Sequence, residues 1–271
     1  MISAQFDYAS PKSIKELHHL LSNDTDKAIL SGGYSLIALL KAEKIAPSLL
    51  ISVNNIDALD GINSNADGIL SIGSATSLAA IADHELIQQR YPTLIEAISL
   101  IGDRQYCNQT TIGDEYSYES FSMGLLSVLL AYGAIFNYSD EHSQKSLTEP
   151  LAPQQGLILT AIELPPVSGR SSFQEVKDPA SYLPICGIAS YLEIENDTVT
   201  KARFAVCGNG LPVKRLPTIE ALVIGGPTSQ LLPKSLFDSL FDKNTHGSLA
   251  SNEYLAHLSN LLISNSIGHK P

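Results

Sequence analysis

A short apolar run, Ala28-Ile29-Leu30, leads into Ser31-Gly32-Gly33-Tyr34-Ser35 and then into Leu36-Ile37-Ala38-Leu39-Leu40-Lys41. The run reads as a strand, the last segment as a helix, and a glycine pair turns the chain between them. No other stretch constrains the fold so tightly. Glycines let a backbone turn sharply and approach a neighbour closely. The free N–H groups of a first helical turn then point at negative charge, aided by the helix dipole. The pattern suits a phosphate or pyrophosphate cradle built from Leu30, Ser31, Gly32, Gly33, Tyr34, Ser35 and Leu36. From the local pattern alone a plain strand-to-helix turn with Ser35 as N-cap suits it better, because short Gly-rich motifs match falsely often.

The flanking sequence alternates strand and helix. Phe6-Asp7-Tyr8 ends a first strand, Ser10-Pro11 opens a helix with Pro near its first turn, and Ser13 with Glu16 has capping-box spacing. Ile14, Leu17, Leu20 and Leu21 give that helix one apolar stripe. Leu49 to Val53 is a further strand. The first fifty-odd residues therefore read as a small α/β unit.

The next section changes character. Gly61-Ile62-Asn63 and Ile69 to Gly73 read as strands joined by the turn Asn65-Ala66-Asp67-Gly68. Ser77 caps a helix through Ile81, and Thr93 another through Ile101. Gly102 to Met123 reads as a polar loop, Leu125 to Ala134 as a helix, and Ile135 to Tyr138 as a strand. Ser139 to Gln155 reads as a linker and Leu157 to Leu164 as a strand stopped by Pro165-Pro166. Beyond it, Ile185 to Ile194 and Val199 to Val206 form long strands joined by Asn196-Asp197, a hairpin signal. Thr218 to Val223, Pro233 to Phe241 and Asn252 to Ser264 read as helices. The chain divides into residues 1–55, 56–165 and 166–271.

Charge and cysteine usage narrow the partners. With 17 basic and 28 acidic residues the net charge is −11, which argues against nucleic acid and anionic membrane surfaces. No apolar stretch has the length of a membrane span, and the N-terminus has no basic n-region or h-region of a signal peptide. Cys107, Cys186 and Cys207 are odd in number and widely spaced, so neither a disulfide framework nor a metal pair is expected. A reducing, cytoplasmic setting follows. An iron–sulfur cluster ligated by this chain alone would want a fourth thiolate.

Three other readings fit less well. Gly33-Tyr34-Ser35-Leu36-Ile37 has a hydrolase nucleophile-elbow look, but that motif needs Gly where Ile37 stands. The seven histidines show no metal-ligand spacing; His18 and His19 sit on the first helix at a solvated or edge position. Asp114 and Glu115 would be paired general acids, but no base or nucleophile can be placed beside them, and they read as a solvated acidic loop. Asp103-Arg104 reads as a loop ion pair.

In order and spacing, several segments resemble the medium, FAD-binding subunit of the molybdenum hydroxylases, the family of xanthine dehydrogenase and aerobic carbon monoxide dehydrogenase. These are Phe6-Asp7-Tyr8 with Pro11, then Gly32 to Ile37, then Ala46-Pro47-Ser48-Leu49-Leu50-Ile51 and Ile72-Gly73-Ser74-Ala75-Thr76. Pro92-Thr93-Leu94, Ile101 to Gln105, Asn209-Gly210-Leu211-Pro212 with Glu220 and Leu222, and Glu253-Tyr254 follow. The resemblance covers nearly the whole chain. It implies an α+β protein: two N-terminal subdomains of the PCMH type that sandwich FAD, and a C-terminal domain of antiparallel sheet and helices. It also implies an electron-transfer subunit that works beside a molybdenum-binding large subunit and an iron–sulfur small subunit. Those partners would carry the molybdenum cofactor and the clusters. By the same resemblance, Thr76, Thr110, Thr111, Ile112 and Gly113 join residues 30–36 in holding FAD.

The chain departs from the family at the second flavin motif. Where the family has Gly-Thr-Ile-Gly-Gly-Asn, this sequence has Thr110-Thr111-Ile112-Gly113-Asp114-Glu115, and Cys107 stands near the usual Arg. The acids expected downstream fall near Ser120 and Gly124 and are absent. Asp114 adds bulk and charge beside a diphosphate; two like charges ~5 Å apart at an effective dielectric near 20 cost roughly 3 kcal/mol. The later Asp-Tyr pair maps onto Ser181-Tyr182-Leu183, with Tyr182 in the Tyr position after a one-residue shift and Leu183 there without one. Two readings stay open: a flavin subunit with an altered pocket, or a flavin-free structural subunit of the same kind of complex. Tyr116, Tyr118 and Phe121 make this stretch aromatic, which suits a subunit contact or a core.

Overall fold

The computed structural model describes residues 5–22, 26–117, 123–140, 142, 144–148, 157–179, 184–208, 210–230, 232–233, 235–238 and 250–268. The chain divides into two compact units, Met1–Gln88 with Ile98–Ser120 and Ala134–Pro166, and Gln89–Ala97 with Phe121–Gly133 and Val167–Pro271.

The first unit opens with β1 (Asp7–Ala9), α1 (Ile14–Leu21), β2 (Lys27–Leu30), α2 (Tyr34–Lys41) and β3 (Leu49–Ser52). The three strands form a parallel sheet in the order β1-β3-β2. Ser13 is the N-cap of α1, its Oγ accepting from the Glu16 N–H at 3.2 Å. The Glu16 carboxylate reaches back to the Lys12 N–H at 2.8 Å rather than to the cap residue, a displaced capping box. Pro11 lies two residues before that cap, outside the helix. Leu17 is fully buried among Ile51, Val53, Ile56 and Leu59, with Ile14, Leu20 and Leu21 at the edge. His18 is buried too, its Nε2 3.0 Å from Ser139 Oγ, so the solvated position expected for it holds only for its neighbour His19.

A five-stranded antiparallel sheet follows in the same unit. It is built from β4 (Ile62–Ser64) and β5 (Leu70–Gly73), and, after an intervening helical stretch, from β6 (Ile135–Ser139), β7 (Gln144–Leu147) and β8 (Ile158–Leu164). Its order is β4-β5-β8-β6-β7. Asn65 makes the β4–β5 turn, its Oδ1 accepting from the Asp67 and Ile69 N–H groups. β7 lies inside the stretch expected as a linker.

The helical stretch holds α3 (Leu78–Asp83), α4 (Glu85–Arg90), α5 (Pro92–Ile101), α6 (Arg104–Gln109), α7 (Ile112–Ser117) and α8 (Met123–Tyr132). Ser77 caps α3 through Ala80 N–H at 3.1 Å. Thr93 lies inside the first turn of α5, and its Oγ1 sits 2.7 Å from Ser171 Oγ. α6 and α7 replace most of the expected polar loop. Asp103 caps α6, its Oδ1 accepting from the Tyr106 N–H at 2.8 Å, while Arg104 pairs with Asp83 at 2.9 Å instead of with its neighbour.

The second unit is an antiparallel sheet of β9 (Arg170–Lys177), β10 (Pro184–Glu195), β11 (Thr198–Gly208) and β12 (Leu211–Arg215), in the order β12-β11-β10-β9. Asn196 and Asp197 take φ of 49° and 64° between the two long strands. Both are left-handed, as the favoured two-residue hairpin turn demands. α9 (Pro217–Val223), α10 (Ser235–Asp238) and α11 (Asn252–Gly268) belong to it, as does α8. Phe204, Ile219, Phe237, Leu255, Ile263 and Ile267 anchor its core. Glu220 is buried but satisfied: its Oε1 accepts from the Phe204 N–H at 3.0 Å and from Arg215 Nε at 3.1 Å. Cys107, Cys186 and Cys207 are all free and buried.

Candidate functional site

The strand–glycine–helix turn predicted from the sequence forms. β2 ends at Leu30, whose carbonyl accepts from the Val53 N–H at 3.0 Å. Gly33, at φ +88°, is the N-cap of α2, so the helix starts two residues earlier than a cap at Ser35 would allow. Only glycine takes that conformation without strain. Leu36 is fully buried and anchors the helix; Tyr34 stays half exposed, in edge-to-face contact with Tyr106 at 4.5 Å. No side chain of the cap residue serves the first-turn amides.

A side chain from elsewhere does. Asp114 on α7 reaches the cradle, its Oδ2 accepting from the Gly33 N–H at 3.0 Å and, at 3.4 Å, from the Thr111 N–H. It is 3% exposed, so the expected solvated acidic loop is instead a buried carboxylate. Such groups are rarely buried unpaired because desolvation penalises the charge. Here amides supply the compensation, with no ion pair to Asp114 among the described residues. Burial pushes its carboxyl above the usual range, while the amides of Thr111, Gly33 and Gly32 pull it back down. The Asp114 N–H in turn donates to Thr111 Oγ1 at 3.2 Å, and that hydroxyl donates to Ser31 Oγ at 2.8 Å.

Gly32 explains how the two segments meet. A Cβ placed on it would lie 1.8 Å from the Gln109 carbonyl oxygen and 2.4 Å from Asp114 Oδ2. The space its missing side chain leaves is filled by the end of α6 and the start of α7.

Residues 110–113 are pinned to the segment before α3. The Ile112 N–H donates to the Thr76 carbonyl at 3.0 Å, the Gly113 N–H to Ser74 at 2.8 Å, and the Leu78 N–H to the Thr110 carbonyl at 2.9 Å. Thr110 and Ile112 are buried. Thr76 Oγ1 is used on Gly61, accepting from its N–H at 2.9 Å and donating to its carbonyl at 3.1 Å. The structure thus brings residues 30–36, Thr76 and 110–113 together within one unit. Tyr182, Tyr118 and Phe121 lie outside the described residues. Tyr116 joins the core side, its hydroxyl accepting from Tyr138 at 2.7 Å.

Glu115 is buried as well, at 4% exposure, and accepts a hydrogen bond from the Tyr106 hydroxyl. Burial, then that bond, raises the Tyr106 pKa, so the phenol stays protonated and donates. Sequence reasoning missed this pairing, although it had singled out Glu115 itself and Cys107, the neighbour of Tyr106. It also missed a groove of about 990 Å³ beside α1, lined by His18, His19, Ser139, Asp140 and His142 among others.

A glycine-pair turn ahead of a helix has the donor set for a dinucleotide's diphosphate. In this arrangement the chain's own carboxylate sits on the Gly33 amide, and the opposite wall spends the Ile112 and Gly113 amides on carbonyls and the Thr111 and Asp114 amides on side-chain oxygens. The residues as placed do not fit a diphosphate.

Known proteins supply the context. The medium chain of glyceraldehyde dehydrogenase from Sulfolobus acidocaldarius is 25% identical over 245 residues, 87% of each chain. Subunit beta of caffeine dehydrogenase from a Pseudomonas species is 28% identical over 240 residues, 84% of this chain and 81% of that one. A solved structure of carbon monoxide dehydrogenase from Hydrogenophaga pseudoflava shares the fold, with a TM-score of 0.81 at 23% identity, covering 98% of this chain and 96% of that chain. Residues 4–166, well over half the sequence, match the FAD binding domain in molybdopterin dehydrogenase, and the chain belongs to that family of oxidoreductase subunits.

Proposed function

We propose that this chain is the medium subunit of a heteromeric molybdenum hydroxylase, the subunit that carries the flavin site between iron–sulfur clusters and an external electron acceptor. The observation that carries the reading is the reach of the likeness. It extends past the FAD-binding match at residue 166 through the whole C-terminal sheet and helices. The glyceraldehyde dehydrogenase medium chain and the caffeine dehydrogenase subunit beta are each matched over more than four-fifths of their length. By this reading a large subunit holds the molybdenum cofactor and a small subunit the iron–sulfur clusters. The organic chemistry belongs to those cofactors, and this chain supplies binding and orientation.

The test is co-purification of the tagged chain from its native host. Two partner chains with molybdenum and iron in fixed ratio to it are the expected result. A chain that purifies alone and free of both metals would end the reading. Denaturing the complex and scanning the supernatant for flavin fluorescence separates a flavoprotein subunit, with a stoichiometric signal, from a flavin-free structural one.

A further inference from the structure

We propose that Asp114 is an intramolecular occupant of the anion seat at Gly32–Gly33, and that a diphosphate enters only when this carboxylate leaves. The inference rests on reading the chain as a flavin subunit. It adds that the subunit's own α7 competes for the site.

Three observations meet there. The Gly33 N–H, at the head of an eight-residue helix with no side-chain cap of its own, points at an oxygen anion that the chain itself provides. A carboxylate oxygen on a helix N-terminus takes the place that a phosphate oxygen would take. The close approach that Gly32 permits is used by Gln109 and Asp114, not left open. Finally, the seated carboxylate is buried and held by amides, with no ion pair to it among the described residues, and burial works against its charge. A rival anion with more oxygens could therefore displace it, but would meet a like charge while it stays.

The bland role for Asp114 is a tertiary cap on α2. The two roles predict opposite responses. If Asp114 is only a cap, removing it weakens the fold and leaves FAD affinity unchanged. If it is an occupant, removing it opens the seat.

The experiment uses the full chain, stripped of flavin and titrated with FAD while flavin fluorescence is followed. Wild type, Asp114→Gly and Asp114→Asn are compared, with ADP as a second diphosphate probe that lacks the isoalloxazine. Asp114→Gly should bind both FAD and ADP at least tenfold tighter than wild type, and Asp114→Asn should fall between. The asparagine variant keeps the bulk and one acceptor oxygen, so it still tests the idea if the glycine variant fails to fold. FAD binding as tight in wild type as in both variants overturns the occupant role and leaves the flavin-subunit reading standing. No FAD binding by any of the three, with no flavin released from the purified complex, overturns the occupant role and removes the flavin from the proposed function as well.

Discussion

The two walls of the cradle differ in how far their residues follow the family pattern. One wall, Leu30 to Leu36, keeps a glycine pair, a left-handed cap and an intact helix start. The other, Thr110 to Glu115, carries Thr, Asp and Glu where the resembling family has Gly, Gly and Asn. The structure shows that the altered wall completes the unaltered one: Asp114 satisfies an amide of the cradle, and Thr111 ties itself to Ser31. The intact side of the motif is thus filled by the side that differs.

The largest test of that complementarity is Gly32→Ala. Its Cβ would fall onto a backbone carbonyl and the Asp114 carboxylate, neither of which can retreat without moving α6 or α7. A loss of about 3 kcal/mol is expected, read as a lowered unfolding midpoint in urea. An alanine tolerated without loss would mean the walls are not in contact.

Next comes Thr111→Val, which removes the hydroxyl that bridges Ser31 and the Asp114 N–H while keeping the shape. About 1 kcal/mol should be lost, with an additional coupling to Asp114→Asn in a double-mutant cycle.

The pH response of Asp114 sharpens the comparison further. Its carboxyl titrates above the ordinary value of 3.8 in the folded chain, chiefly through burial. The folded state then holds the proton at pH values where the unfolded chain has released it. Stability contributed at this site falls as pH rises from about 4 through the folded value. Wild type should therefore lose ground to Asp114→Asn between pH 4 and pH 7, measured as paired urea midpoints. A flat difference between the two would show that the amides offset burial, and a gain by wild type that they outweigh it. The smallest effect belongs to the exposed Arg104–Asp83 pair behind the same wall: Arg104→Gln should leave the midpoint unchanged within error, because water screens such contacts.

Much of the frame was legible. The strand–glycine–helix turn, the Ser13 and Ser77 caps, the Asn65 turn and the left-handed Asn196-Asp197 hairpin all carry their cause in a few adjacent residues. What stayed hidden depends on distant partners. α6 and α7 are one and a half turns each, too short for periodicity to register. β9, Arg170 to Lys177, is partly exposed on both faces and shows no clean alternation. The acidic pair read as solvated because carboxylates seldom lie inside a protein, and nothing near them in sequence announces the Gly33 amide or the Tyr106 hydroxyl. Ser35 drew attention as a cap because serine usually serves there, whereas the left-handed Gly33 leaves that role to a carboxylate 81 positions away. His18 reads as a surface residue until Ser139 is placed against it.

Position 32 has a consequence for how such chains are recognised. Its lack of a side chain is enforced by the carbonyl of Gln109, whether or not a nucleotide ever binds. Selection for packing alone would preserve the signature long after any loss of ligand. A search keyed to that dipeptide would go on counting such descendants as cofactor carriers, and the residue facing it is the better diagnostic.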